Sequence, residues 1–329
     1  MTYNDNFSPL LIFFLLFYGT VFIVSLVGNI WVLVTCYRNL KRNQFPLMWC
    51  VANLASADLL FTCLTPFNAI SVMWRWVGGN VTCKLQGFLI ETSYSSSITT
   101  LVVISYLRLK AVTDPFNSRS GRFSSREYMK LVTIWCICLV ICLPIAHIYR
   151  VEPNEDGKLV CANTTWGSTG RQIYYTVHAM VFFVIPLTYM IVTQRKISRS
   201  LRANIVPMRN SHIMKSNQRQ KRVAKTLAAL SLAFFMCWSS FMILRTLMYF
   251  NLASHGLGWR AAQLMVFLNT ALDPLLYGYY GGNFKSKVRS ILRCNYQNRL
   301  NCADSIALTA SHSGHSLGIR EAHATASKD

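Results

Sequence analysis

The sequence is short of charge. Only 14% of its 329 residues are Asp, Glu, Lys or Arg and 53% are hydrophobic, whereas an ordinary soluble domain is about 25% charged. A fold that meets water on all sides is excluded. Acid is scarcest, with 12 Asp and Glu against 33 Lys and Arg, a balance that would suggest nucleic acid if the chain were soluble. No CxxC and no Cys and His grouped on one side occur, which argues against a zinc site. Without an HExxH helix or a nucleophile beside a base, no catalytic residues are named and the reading is not an enzyme. A transporter would show inverted repeats with broken helices, and no duplication is visible. Residues 1–9 are too short and lack the basic leader of a cleavable signal, so the first apolar stretch is expected to act as its own insertion signal.

What the chain does have is long apolar runs. Crossing a bilayer takes roughly 20 mostly apolar residues, because the hydrocarbon is about 30 Å thick and a helix rises about 1.5 Å per residue. Seven stretches qualify, at 10–36, 47–73, 84–107, 131–149, 173–193, 226–250 and 261–280, with the third the most polar. In lipid each is expected to be helical. The fold class is therefore an all-α membrane bundle of seven transmembrane helices.

Orientation follows from the basic residues, which are retained in cytoplasmic connections. Arg38, Lys41 and Arg42 follow the first stretch, Lys110 to Lys130 the third, a run from Arg195 to Lys225 the fifth, and Lys285 to Arg299 the seventh. The opposite connections mix signs, as in Arg150, Glu152, Glu155, Asp156 and Lys158. The N-terminus is outside, the tail is inside, and nucleic acid is excluded as a partner.

Other signals agree with that orientation. The sequons at Asn6, Asn80 and Asn163 all fall on the outer side, and Asn163 is the preferred acceptor because Pro9 weakens Asn6 and Asn80 lies close to the membrane. Of eleven cysteines, Cys83 and Cys161 are the two expected in the oxidising compartment, where a disulfide is favoured. Asn29, Asp58 and Asp273 sit mid-span. Polar residues there are costly and face the bundle interior, as interhelical glue or as a functional site.

These residues carry a family likeness. Gly28-Asn29, the LASAD string ending at Asp58, Trp76 and Gly78 before Cys83, Trp135, Pro144, Pro186, Phe234 with Cys237-Trp238, and Asp273-Pro274-Leu-Leu-Tyr277 before Phe284 occur in order. The chain resembles the rhodopsin-like G-protein-coupled receptors over most of its length. That resemblance implies a heterotrimeric G protein as partner, with Arg108 holding the cytoplasmic ends of helices three and six at rest and meeting the G protein when released. Arg108 follows Cys83 by 25 residues, about 37 Å along a helix, which places the two on opposite membrane faces. It also implies that Asp58, Ser97, Asn269 and Asp273, near Trp238, form an allosteric sodium site, with bound water as the plainer reading. No cofactor is expected.

The departures are specific. Where the family has an acid, Arg and an aromatic, this chain reads Leu107-Arg108-Leu109. Gln194 replaces a tyrosine eight residues after Pro186, and Ser240 a proline two after Trp238. A decoy receptor with weak or no coupling is the alternative function, and a transporter a distant one. No lysine lies in the seventh stretch, so a retinal protein is excluded. Ile90 stands where amine receptors carry an aspartate, which argues against a monoamine.

Candidate ligand residues are Glu91, Arg245, His178, Gln263 and Asn68 beside Ile90, with Arg245 either facing the cavity or snorkelling to the interface. The mixed polarity resembles neuropeptide receptors and suggests a peptide ligand. By regions, 1–9 is expected as an extracellular N-terminus, 10–280 as the receptor domain, 281–294 as an amphipathic helix meeting the lipid bilayer, and 295–329 as a disordered tail. Cys294 stands where relatives are palmitoylated. The tail's serines and threonines are expected to be phosphorylated by a receptor kinase for arrestin.

Overall fold

The computed structural model describes residues 9–40, 46–73, 75–114, 125–153, 157–203, 211–253 and 256–280. Asn6, the expected helix at 281–294 with Cys294, and the tail lie outside them. The described chain is seven helices and one small hairpin. Helix α1 is Pro9–Leu40, α2 Pro46–Met73, α3 Asn80–Thr113 and α4 Ser125–Ile148. Helix α5 runs through Gly167–Ala179, a π-helical turn Met180–Val184 and Ile185–Ala203. Helix α6 is Ser211–Tyr249 and α7 is Leu257–Tyr280.

Six of these are long and apolar enough to cross a membrane by composition alone, and α7 is not among them. From the sequence, α3 is expected to be the most polar of seven qualifying spans. In α7, however, Asn269, Thr270 and Asp273 are buried, so its polar residues face the bundle and lower its hydropathy without meeting lipid. Several helices also outrun the apolar stretches that announced them. Helix α6 begins fifteen residues before Thr226, because a helix continues into water once its polar side chains can be solvated.

Helix α3 is the central post, packed against α2, α4, α5, α6 and the hairpin. Its many hydroxyls are tolerated because they bond back one turn. Thr92 Oγ1 donates to Phe88 O at 2.8 Å, Ser93 Oγ to Leu89 O at 2.6 Å, and Thr100 Oγ1 to Ser96 O at 2.6 Å. Such a bond satisfies a hydroxyl where no water reaches. Asn53 on α2 donates to Thr100 at 2.8 Å and accepts from the Trp135 indole at 2.7 Å, so α2, α3 and α4 meet on one amide.

Prolines inside helices create the complementary problem, since each leaves the carbonyl four residues earlier without its helical donor. For three of the four, Pro144 of α4 being the other, a side chain supplies a substitute. Pro66 leaves Thr62 O, which accepts from Thr65 Oγ1 at 2.8 Å. Pro274 leaves Thr270 O, to which Asn29 on α1 donates at 2.9 Å. Pro186 leaves Phe182 O in the π-helical turn, and the Tyr94 hydroxyl of α3 donates to it at 2.6 Å. Gly28 explains the closeness of α1 and α7, because a Cβ there would lie 2.8 Å from Pro274 Cγ.

Outside the membrane, β1 (Arg150–Pro153) pairs antiparallel with β2 (Leu159–Ala162), with Val151 opposite Cys161. The hairpin is tied down in three ways. Cys161 forms the expected disulfide with Cys83 at the start of α3, with Cα atoms 5.6 Å apart. Trp76 N donates to Leu159 O at 2.7 Å, and Val151 N donates to Asn80 Oδ1 at 3.2 Å. Trp76 is buried.

Candidate functional site in the upper bundle

Glu91 on α3 and Arg245 on α6 are both buried, and they meet. Arg245 Nη1 donates to Glu91 Oε1 at 2.6 Å. The arginine therefore does not snorkel, and the two charges expected to face a ligand separately form one internal pair. Its guanidinium lies 4.9 Å from the Tyr175 ring centroid and 5.0 Å from that of Phe241, a cation–π setting that is strengthened by desolvation. Among the described residues, Nη2 reaches the thioether of Met242, at 3.2 Å. A guanidinium offers five donors, so this one has unspent capacity for an anion.

His178 on α5 completes the cluster. Its Nε2 is 3.8 Å from Glu91 Oε2 and 3.5 Å from Ser95 Oγ, and its ring packs on Phe182 with centroids 4.8 Å apart. The roof is aromatic. Tyr175 and Tyr249 stack at 4.6 Å, and Asn163 Nδ2 donates to the hydroxyls of both. The nitrogen of the preferred sequon is thus turned inward in this structure, whereas Asn80 is exposed. The other pocket candidates are peripheral. Asn68 is exposed and accepts from Gln86 at 2.8 Å, Gln263 is half-buried on α7, and Ile90 packs on the apolar core.

One turn inward from Glu91, Tyr94 links this cluster to the middle of the bundle. Its hydroxyl holds the π-helical turn of α5, and its ring stacks on Trp238 of α6 with centroids 3.8 Å apart. Trp238 stacks in turn on Phe234, at 6.1 Å. Below them a small cavity of about 10 Å³ is lined by Asp58, Tyr94, Ser97, Trp238, Asn269 and others. That is room for about one water or bare ion. Ser97 donates to Asp58 Oδ1 at 3.1 Å and Asn269 Nδ2 to Asp273 Oδ2 at 3.5 Å. Asp58 Oδ2, Asn269 Oδ1 and Asp273 Oδ1 are buried without a hydrogen-bond partner. Orphan oxygens of this kind suit a hard cation. Ser25, Thr62 and Thr270 extend the polar seam toward α1, with contacts of 2.7 and 2.9 Å from Ser25 Oγ.

With this geometry in hand, the family follows. The family described as 7 transmembrane receptor (rhodopsin family) matches residues 28–277. The chain belongs to it. The receptor is a multi-pass protein of the plasma membrane, and the family's members are receptors, not enzymes. It is 26% identical to galanin receptor 2a of Danio rerio over 292 residues, 87% of this chain and 79% of the relative. It is 27% identical to neuropeptide Y receptor type 6 of Oryctolagus cuniculus over 342 residues, 96% and 90% of the two chains. Free fatty acid receptor 4 of Rattus norvegicus is 28% identical over 294 residues, 84% and 80%.

At the cytoplasmic end, Arg108 is half-buried, and Leu107 and Leu109 beside it pack on the apolar core. Gln194, standing where the family carries tyrosine, donates to Ala224 O at 2.9 Å and so ties α5 to α6. Pro274 is buried beside Asp273, whereas the side chain of Tyr277 lies outside the described residues. Tyr94, Tyr175, Tyr249 and Phe241 were missed by sequence reasoning. Tyr94 alone carried a usable signal, a polar aromatic one turn from a membrane-embedded acid.

The ion pair makes a stability prediction. Removing one partner of a buried pair strands the other, at a cost of about 3–5 kcal/mol, while replacing both is far milder. Arg245→Gln in purified receptor should therefore lower the thermal unfolding midpoint more than the Glu91→Gln/Arg245→Gln double variant does. Equal losses in the single and double variants would show that the two charges do not depend on each other.

Proposed function

We propose that the receptor binds an extracellular peptide in its upper bundle and activates a heterotrimeric G protein from its cytoplasmic face. The observation that carries this is the buried Glu91–Arg245 pair beneath the disulfide-tied hairpin, one turn from the Tyr94–Trp238 stack. A peptide brings both signs of charge, and Arg245 has donors to spare for a carboxylate. Relatives named for galanin and neuropeptide Y support a peptide ligand. The decisive experiment is a peptide-library screen on receptor-expressing cells with several G-protein readouts. Once an agonist is found, Glu91→Gln and Arg245→Gln should each shift its potency by roughly 30-fold or more at matched surface expression, the scale of breaking a desolvated pair. A response to fatty acids with none to peptides would refute the peptide assignment.

The packing of Leu107 and Leu109 on the core favours a second reading, a receptor whose coupling departs from the family's, because the acid beside Arg108 is replaced by an apolar side chain. On the coupling reading, Leu107 supplies no charge to restrain Arg108 at rest. Leu107→Asp should then reduce basal signalling at equal surface expression. An unchanged or raised basal signal would defeat this account, and no basal or stimulated signal in any G-protein readout would establish the decoy. Receptor kinase and arrestin are proposed to act through the serines and threonines of the tail.

Asp58, Ser97, Asn269 and Asp273 are proposed to hold sodium, a reading supported by the three orphan oxygens. Two carboxylates in one low-dielectric site favour a shared cation or proton. Replacing potassium with sodium at constant ionic strength should raise the unfolding temperature of the receptor, and Asp58→Asn should abolish the difference. A sodium effect that persists in Asp58→Asn would place the ion elsewhere.

A further inference from the structure

The lower half of the α5–α6 seam opens into a cleft of about 490 Å³ on the outer surface of the bundle, within the ~300–1,000 Å³ typical of ligand clefts. Its polarity is graded along the membrane normal. The half toward the bilayer centre is apolar, with Leu187 and Ile191 on α5 facing Leu232 and Phe235 on α6. The cytoplasmic half carries Arg195, Arg199 and Arg202, spaced four and three residues apart so that they share one face of α5. All three are exposed, and no acidic residue lines the cleft. Lys225, also exposed, sits three residues from Ala228 on the same side of α6. Gln194 closes the back of the cleft by donating to Ala224 O at 2.9 Å.

Basic residues at the cytoplasmic boundary are expected from topology alone. A diffuse belt, however, does not require an apolar cleft aligned above three arginines on one helix face. Arg195 follows Leu187 by eight residues, about 12 Å along the helix, close to the roughly 15 Å depth of one leaflet's hydrocarbon. A molecule matching this gradient has an anionic head at the interface and a hydrocarbon tail pointing toward the bilayer centre. We infer that the α5–α6 cleft is a binding site for an anionic glycerophospholipid of the cytoplasmic leaflet. The arginines hold its phosphate and headgroup, and one acyl chain lies between Ile191, Leu232 and Phe235. The occupant bridges α5 and α6 beside the Gln194 tie, whatever ligand the extracellular side takes.

The test is native mass spectrometry of the delipidated full-length receptor titrated with phosphatidylserine, and separately with phosphatidylcholine of the same chains. Phosphatidylserine should bind at least tenfold more tightly. Each basic side chain near a membrane surface contributes roughly fivefold, so Arg195→Ala/Arg199→Ala/Arg202→Ala should weaken phosphatidylserine on the order of a hundredfold. Arg38→Ala/Lys110→Ala/Lys130→Ala removes equal charge elsewhere on the cytoplasmic side and should change it less than threefold. Ala228→Trp fills the cleft with all charges kept and should still weaken binding about tenfold. Circular dichroism checks that each variant is folded. Equal loss in the two triple variants would overturn the site in favour of diffuse attraction, and equal binding of phosphatidylcholine would reduce it to ordinary surrounding lipid. Full competition by soluble glycerophosphoserine would leave only an anion site without a tail.

Discussion

A carbonyl stranded in hydrocarbon has no water to turn to, and much of this bundle's wiring answers that one constraint. Four prolines lie inside helices, and the carbonyls freed by Pro66, Pro186 and Pro274 each find a side-chain donor, two of them from another helix. The bonds do more than repair. Asn29 binds α1 to α7 at Thr270, where Gly28 also lets the Pro274 ring approach. Tyr94 binds α3 to α5 at Phe182, and the same ring is then held flat against Trp238. A backbone defect in α5 therefore fixes the side chain that joins the upper cluster to the centre.

The two acidic sites in the membrane are handled in opposite ways. Glu91 is neutralised by a partner from the protein, the Arg245 guanidinium at 2.6 Å, with the His178 ring 3.8 Å away. Asp58 and Asp273 receive hydroxyl and amide donors but keep orphan oxygens, and Asp58 lines a cavity the size of one ion. The first acid has a cationic partner within the bundle, and the second pair has none among the described residues. Tyr94, one turn from Glu91, stacks on Trp238, and both rings line the lower cavity.

How much of this could be read in advance depended on contrast. Asp58, Glu91, Arg245 and Asp273 stand out because a charge in an apolar run is conspicuous. Their positions were legible, but the pairing of Glu91 with Arg245 was not. Spacing along one helix says nothing of its rotation against another. Tyr175 and Tyr249 were invisible because an aromatic in a membrane helix looks like any core residue. The hairpin was missed because Arg150–Pro153 and Leu159–Ala162 are four residues each, too short to show alternation. The helix ends were misjudged where α3 and α6 run on into polar sequence, whereas the disulfide was readable from compartment alone.

A buried ion pair is a poor way to stabilise a bundle, since well-packed apolar residues of the same volume commonly do as well or better. Stability therefore gives no reason for Glu91 and Arg245 to be where they are, and position does. The pair lies between the helix that carries the disulfide to the hairpin and the helix that carries Trp238. It sits beneath a roof of two tyrosines pinned by a loop asparagine. Its arginine spends one donor on a carboxylate and another on a thioether, leaving the fork incompletely satisfied. The thioether is the weaker of the two acceptors and lies on α6 itself, so exchanging it for another acceptor would leave the Glu91 bond from α6 to α3 in place, one turn from the Tyr94–Trp238 stack.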